Sequence, residues 1–209
     1  MIIIGFLEEG SKTVSKYRQQ GFTLIELIIV VVILGLLAAS ALPRFTSVTA
    51  DAEDSALEGV AGGFASAVGI VRARWELDGR PKGDANGAGV AVDIDGVSVN
   101  VDGSVGYPVS GNGNNAAHDE NLTSQDCSTV MQAILQGAPT VTDNYAQLGE
   151  NRYYVAQENN GTNDICVYYL ANTIKNLTSA PSGTDYQSVG NAFVYDPRTG
   201  NIRIFSHNE

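Results

Sequence analysis

A chain of 209 residues suffices for one ordinary globular domain with additions at its ends. Its formal net charge is −11, and its basic residues are scattered apart from Arg72, Arg74, Arg80 and Lys82, so the basic face of a nucleic-acid binder is missing. The two cysteines and two histidines are all isolated in sequence, which argues against a metal site built from close-spaced ligands.

Residues 22–42 read FTLIELIIVVVILGLLAASAL, an apolar run with one charge, Glu26, long enough to cross a bilayer as a helix. Lys12, Lys16 and Arg18 precede it, and the next cation is Arg44. The positive-inside rule places residues 1–21 in the cytoplasm and the remainder outside it. Ala39-Ser40-Ala41 fits the bare pattern of a secretory signal cut after Ala41, and an uncut signal anchor would give the same topology. In either case Cys127 and Cys166 meet an oxidising compartment, where one long-range disulfide is the better reading of an isolated pair.

The charged edge of the span carries a more specific signal. Gly21-Phe22-Thr23-Leu24-Ile25-Glu26-Leu27 resembles the processing motif of type IV prepilins. That resemblance implies a cytoplasmic-side cut after Gly21 by a membrane peptidase, methylation of the new Phe22 amine by the same enzyme, and retention of the apolar helix. Gly35 and Pro43 fall where many pilins carry a helix-loosening glycine and proline. The leader of 21 residues is longer than the short basic leaders usual before a mature Phe, and Val14 is a plausible alternative start. Glu26 is costly in an apolar helix. It either pairs with its own Phe22 amine at i, i+4 spacing or, as the resemblance implies, meets the amine of a neighbouring subunit and helps set axial register.

Beyond Pro43, Leu57, Val60, Phe64, Ala67, Val68, Val71 and Trp75 recur at spacings of three and four, an amphipathic helical stripe. Gly79 and Pro81 provide the stop. Residues 22–77 are therefore expected as one helix of roughly 80 Å at 1.5 Å per residue. Asp51, Glu53, Asp54 and Glu58 suit a helix start near Thr49. Gly59, Gly62, Gly63 and Gly69 weaken a helix. They are expected to let a sheet approach closely, with a subunit contact as the alternative.

The head begins with VAVDIDGVSVNV, residues 90–101, two alternating runs about Asp95-Gly96 and so a hairpin. Asp93, Asp95 and Asp102 lack calcium-loop spacing and are assigned to turns and the solvent face. Residues 107–121 read as an exposed polar loop. A helix is expected from Ser124, as N-cap, to Gln136, with Cys127 in its first turn. Strands are expected at Arg152–Gln157 and Asp164–Ala171, and a last hairpin joins Ala192–Tyr195 to Ile202–Phe205. Three Asn-x-Thr sequons, at Asn121, Asn160 and Asn176, are given no role.

The expected fold is α+β: a long N-terminal helix packed on a mainly antiparallel sheet, which is the pilin layout. The expected divisions are a leader at 1–21, a transmembrane and assembly half-helix at 22–42, an amphipathic half-helix at 43–82 and a β-rich head at 83–209. No catalytic constellation emerges, so neither an enzyme nor a cofactor is expected. From Phe22 to Lys82 the chain is most similar to pilins of the mannose-sensitive haemagglutinin group. The resemblance implies a major or minor pilus subunit in surface attachment, first in the inner membrane with its head in the periplasm, later in a surface fimbrium. Its implied partners are the prepilin peptidase and N-methyltransferase, other pilin subunits, the assembly platform and an outer-membrane secretin. The alternatives are a type II secretion pseudopilin and a membrane-tethered periplasmic enzyme or ligand-binding domain.

Overall fold

The computed structural model describes residues 21–83, 89–111 and 118–207. Most of the leader reading, with Lys12, Lys16 and Arg18, lies outside the described residues. The chain forms two compact units, residues 1–46 and 47–209. Helix α1 (Leu24–Leu77) contributes its first turns to one and its remainder to the other.

In the second unit α1 buries the expected stripe. Leu57, Phe64, Val68, Val71 and Trp75 are buried, and Ala61 joins them. Gly79, at φ +86°, turns the chain after the helix, and the Trp75 indole N–H donates to the Pro81 carbonyl at 2.9 Å. The helix is continuous through Thr49, so the acids after it face no free helix N-terminus. Two of them instead hold the head: Glu53 accepts from the Asn172 amide at 2.7 Å and Asp54 from the Asn191 amide at 2.7 Å.

Two sheets lie against this part of α1. The smaller runs β1 (Val90–Ile94), β2 (Val97–Val101), β3 (Pro108–Ser110), all antiparallel. Its hairpin has the expected register, with Ile94 opposite Val97. Asp95 and Gly96 both take positive φ, the mirror-image turn that suits strand twist. The larger sheet is ordered β4 (Val141–Thr142), β5 (Tyr153–Asn159), β6 (Asp164–Leu170), β7 (Ala192–Asp196), β8 (Asn201–Phe205). Its pairs are antiparallel except for the parallel pairing of β4 with β5. The result is the α+β, pilin-like arrangement.

The core follows the helix stripe. Phe64 sits 5.2 to 5.4 Å, ring centre to ring centre, from Tyr168, Phe193 and Tyr195 on the larger sheet. Val71 and Trp75 pack with Val90, Val92, Val99 and Val101 of the smaller sheet. Central strand β6 is buried at all seven positions because Tyr154, Tyr169, Ile174 and Tyr186 form a second core on the sheet's other face.

Several expectations need correction. Helix α2 runs Ser124–Ile134, not to Gln136, and its N-cap is Thr123 rather than Ser124. The Thr123 hydroxyl accepts from the Asp126 N–H at 3.1 Å and the Asp126 carboxylate accepts from the Thr123 N–H at 3.0 Å, a reciprocal cap. Ser124 is used otherwise: its hydroxyl accepts from the Gln157 N–H and ties α2 to β5. Within 107–121, residues Pro108–Ser110 are a buried strand rather than exposed loop, because they pair with β2 under α2. Residues 112–117 of that expected loop lie outside the described residues. Asp102 is buried, not on the solvent face. Finally, Gly59, Gly62, Gly63 and Gly69 admit no close sheet. All four are exposed, and a Cβ at three of them would meet nothing within 4 Å. At Gly63 it would meet the Leu135 side chain at an ordinary 3.8 Å.

Candidate functional site

The candidate site is the N-terminal segment from Gly21 through the apolar run. Gly21 and Phe22 precede the helix in extended, exposed chain, and Phe22 is 86 % accessible. A Cβ built at Gly21 would meet nothing within 4 Å. The chain's own packing therefore does not require glycine there.

Helix α1 starts where Thr23 and Glu26 close a reciprocal cap. The Thr23 N–H and hydroxyl donate to Glu26 Oε2 at 2.9 and 2.8 Å, and the Glu26 N–H donates to the Thr23 hydroxyl at 3.3 Å. Two of the donors that a helix start leaves open are thereby satisfied, with the carboxylate at the positive end of the helix dipole. In the full-length chain Glu26 therefore binds Thr23, and Phe22, in peptide linkage to Gly21, has no free amine to offer it. The Thr-x-x-Glu spacing that announces this cap is plain in the sequence, yet charge alone directs attention to Glu26.

From Leu24 to Leu42 the helix is apolar and none of it is buried. Leu24, Ile28, Val32 and Leu36 are all more than half exposed, as are Ile25 and Leu37, so the exposure runs round the helix. A helix apolar on every side requires lipid or other helices around it. Val48–Leu77 also passes a length and composition test for a membrane span, but its apolar stripe lies under the sheets.

The two cysteines meet in the head. Cys127 on α2 is bonded to Cys166 on β6, with Cα atoms 5.5 Å apart and both residues buried. The Tyr168 hydroxyl, on the same strand, donates to the Cys127 carbonyl at 2.7 Å. The bond thus pins α2 across the central strand.

One polar cluster of the head is not foreseen by sequence reasoning. Asp102, Ser104, His118, Asp119 and Arg198 line a cavity of about 610 Å³. Burial pushes the Asp102 carboxyl up, but hydrogen bonds from Ser104 and the Asp119 backbone overcome that and hold it below its usual range. At Asp119 burial wins: its carboxyl is held above the usual range despite the paired Arg198. Arg198 also reaches Glu120 at 2.8 Å. Arg198 joins Asp119 and Glu120 while Ser104 and the Asp119 N–H hold Asp102, which makes this a polar clasp between loops of the two sheets. Among the described residues, no group of three or more His, Cys, Asp or Glu is placed to hold a metal ion.

Residues 16–42 match a family model described as the prokaryotic N-terminal methylation motif. The chain is 40 % identical over 85 residues to a fimbrial protein, EcpC, of Eikenella corrodens, covering 41 % of this chain and 54 % of that protein. It is 47 % identical over 53 residues to the type IV narrow pilus major component PilA5 of Thermus thermophilus, covering 25 % of this chain and 46 % of that protein. The chain thus spans about half the length of the curated relatives it matches. No solved structure matches it.

Proposed function

We propose that this chain, which carries the type IV prepilin motif at its N-terminus, is a structural subunit of a type IV pilus and not an enzyme. The observation that supports this best is the uncovered apolar helix Leu24–Leu42 joined directly to that motif. An all-round apolar helix suits two environments in turn, the inner membrane and then the core of a filament made of like helices. In this reading the chain first spans the inner membrane once, head in the periplasm, with 1–21 as its cytoplasmic leader. A prepilin peptidase cuts between Gly21 and Phe22 and methylates the Phe22 amine. The assembly platform then adds the subunit to a filament that leaves through the outer-membrane secretin. Glu26 exchanges its Thr23 contacts for the Phe22 amine of a neighbouring subunit. The similarity of residues 22–82 to mannose-sensitive haemagglutinin pilins suggests a part in surface attachment. The alternative is a type II secretion pseudopilin, which would carry the same N-terminal motif.

Mass spectrometry of the protein sheared from cell surfaces tests the proposal. The expected mature chain begins at N-methylated Phe22. A product beginning near Ser40 or Leu42 would overturn it, since the assembly helix would be lost.

A further inference from the structure

Four of the eight lysines and arginines of the head are already matched. Arg72, Arg74 and Arg80 pair with Glu76 and Asp78, and Arg198 pairs with Asp119 and Glu120. Arg152 and Lys175 are exposed, and neither has a carboxylate within ion-pair distance among the described residues. Lys82 and Arg203 share that condition, but each stands alone. Arg152 and Lys175 instead line one cavity of about 350 Å³ together with Asn151 and Asn172, and no acidic side chain lines it. Lys175 Nζ donates to the Asn172 amide oxygen at 2.6 Å, and the Asn172 amide nitrogen donates to Glu53. On a chain of net charge −11, a concave site with two unmatched cations and no acid in its lining suits carboxylates.

The same unit offers a complementary surface. Of the four acids on this part of α1, Glu53 and Asp54 are taken up by Asn172 and Asn191. Asp51 and Glu58 are exposed, without an ion-pair partner among the described residues, and seven positions apart, so they share one helix face. We infer that Arg152 and Lys175 of one copy receive Asp51 and Glu58 of the next. This inference rests on the filament reading. Donor and acceptor are different patches of one chain, so the contact is heterologous, and such contacts build rings or, where the rotation does not close, the open helical assembly of the filament reading. Exposed ion pairs contribute little affinity singly. Their role here is direction and register, while the apolar helices supply adhesion between subunits.

The test is a charge exchange in cells that make only the altered subunit. Arg152→Glu with Lys175→Glu should lower the sheared filament yield at least fivefold, with the cut subunit still present in the membrane at wild-type amounts. Adding Asp51→Lys and Glu58→Lys to that same chain should restore the yield to at least half of wild type. Unchanged yield from the double reversal, or no recovery in the fourfold variant, would overturn the inference. If the double-reversal subunit is lost from the membrane fraction, Arg152→Ala with Lys175→Ala replaces it: that subunit should still be inserted and cut yet still lower the filament yield, and wild-type yield from it would overturn the inference. If the unaltered subunit is missing from sheared filaments, the filament reading fails first.

Discussion

Glu26 uses its carboxylate to start its own helix before any neighbour is present, because Thr23 supplies two donors to the same oxygen. A capping role and a charge role are separable by substitution. Gln serves as well as Glu in a reciprocal cap, whereas Val supplies neither acceptor nor charge. If attraction to a neighbour's amine governs assembly, Glu26→Gln and Glu26→Val should both be cut and membrane-inserted yet enter filaments poorly. Wild-type filament yield from Glu26→Gln would instead assign the residue to capping alone. Asp102 is the corresponding residue of the head. Its folded carboxyl titrates below its unfolded value, so its contribution is complete above the ordinary carboxylate range, near 4, and is lost as pH falls through the lower folded value. Asp102→Asn should cost about 1–3 kcal/mol at neutral pH, as expected for removing hydrogen bonds to a buried charge. The gap from wild type should narrow as the pH falls through the lowered folded value, read by urea unfolding of the purified protein. A gap of constant size would refute the assignment. The two residues differ in legibility. The Thr23–Glu26 cap is local and can be read from a spacing of three, whereas Asp102 depends on Ser104 and Asp119 arriving from a turn and a distant loop.

Helix α1 and the hairpin β1–β2 are legible because their periods are long and clean: a 3.6-residue stripe from Leu57 to Trp75, and two alternating runs about Asp95-Gly96. Strands β3 and β4 have three and two residues, too few for any period to emerge, and Pro108 further disguises the first. The Ser124 misassignment has a similar root. Thr123 and Ser124 are equivalent cap candidates in sequence, and only the return bond from Asp126 separates them. Gly59, Gly62 and Gly69 permit a measurement at this scale. Exposed in the described chain, they weaken the helix with no packing return, so Gly→Ala at any one should stabilise the protein by about 0.5–1 kcal/mol. In a domain of this size that is a rise in Tm of about 1–4 °C. A fall in Tm would show a contact within the chain at that face. The disulfide makes a larger claim. Closing a loop of about 40 residues is worth roughly 4 kcal/mol on the chain-entropy model. Alkylation without reduction should label neither Cys127 nor Cys166 in protein recovered from cells, and full labelling of both would refute the bond. Cys127→Ser paired with Cys166→Ser should lower stability by about that amount.

At the scale of the whole molecule, the leader and the apolar segment oppose each other. On the topology proposed above, Lys12, Lys16 and Arg18 hold the leader on the cytoplasmic side, since each cation carried into the bilayer costs on the order of 3 kcal/mol on insertion scales. A subunit drawn outward into a filament would have to bring all three with it. In that proposal, removing residues 1–21 ends the restraint, so cleavage acts as a release step as well as a maturation step. Cleavage can be tested apart from folding at Gly21 because a Cβ there would meet nothing within 4 Å among the described residues. Gly21→Leu should therefore leave the head intact, with the Cys127–Cys166 bond formed and Tm unchanged. The uncut chain should accumulate in the membrane fraction and be missing from sheared filaments. Immunoblots of both fractions, beside intact-mass measurement of the membrane form, give all the quantities. An uncut Gly21→Leu chain found in filaments at wild-type amounts would show that the leader does not restrain assembly, and would leave the apolar helix to explain membrane retention by itself.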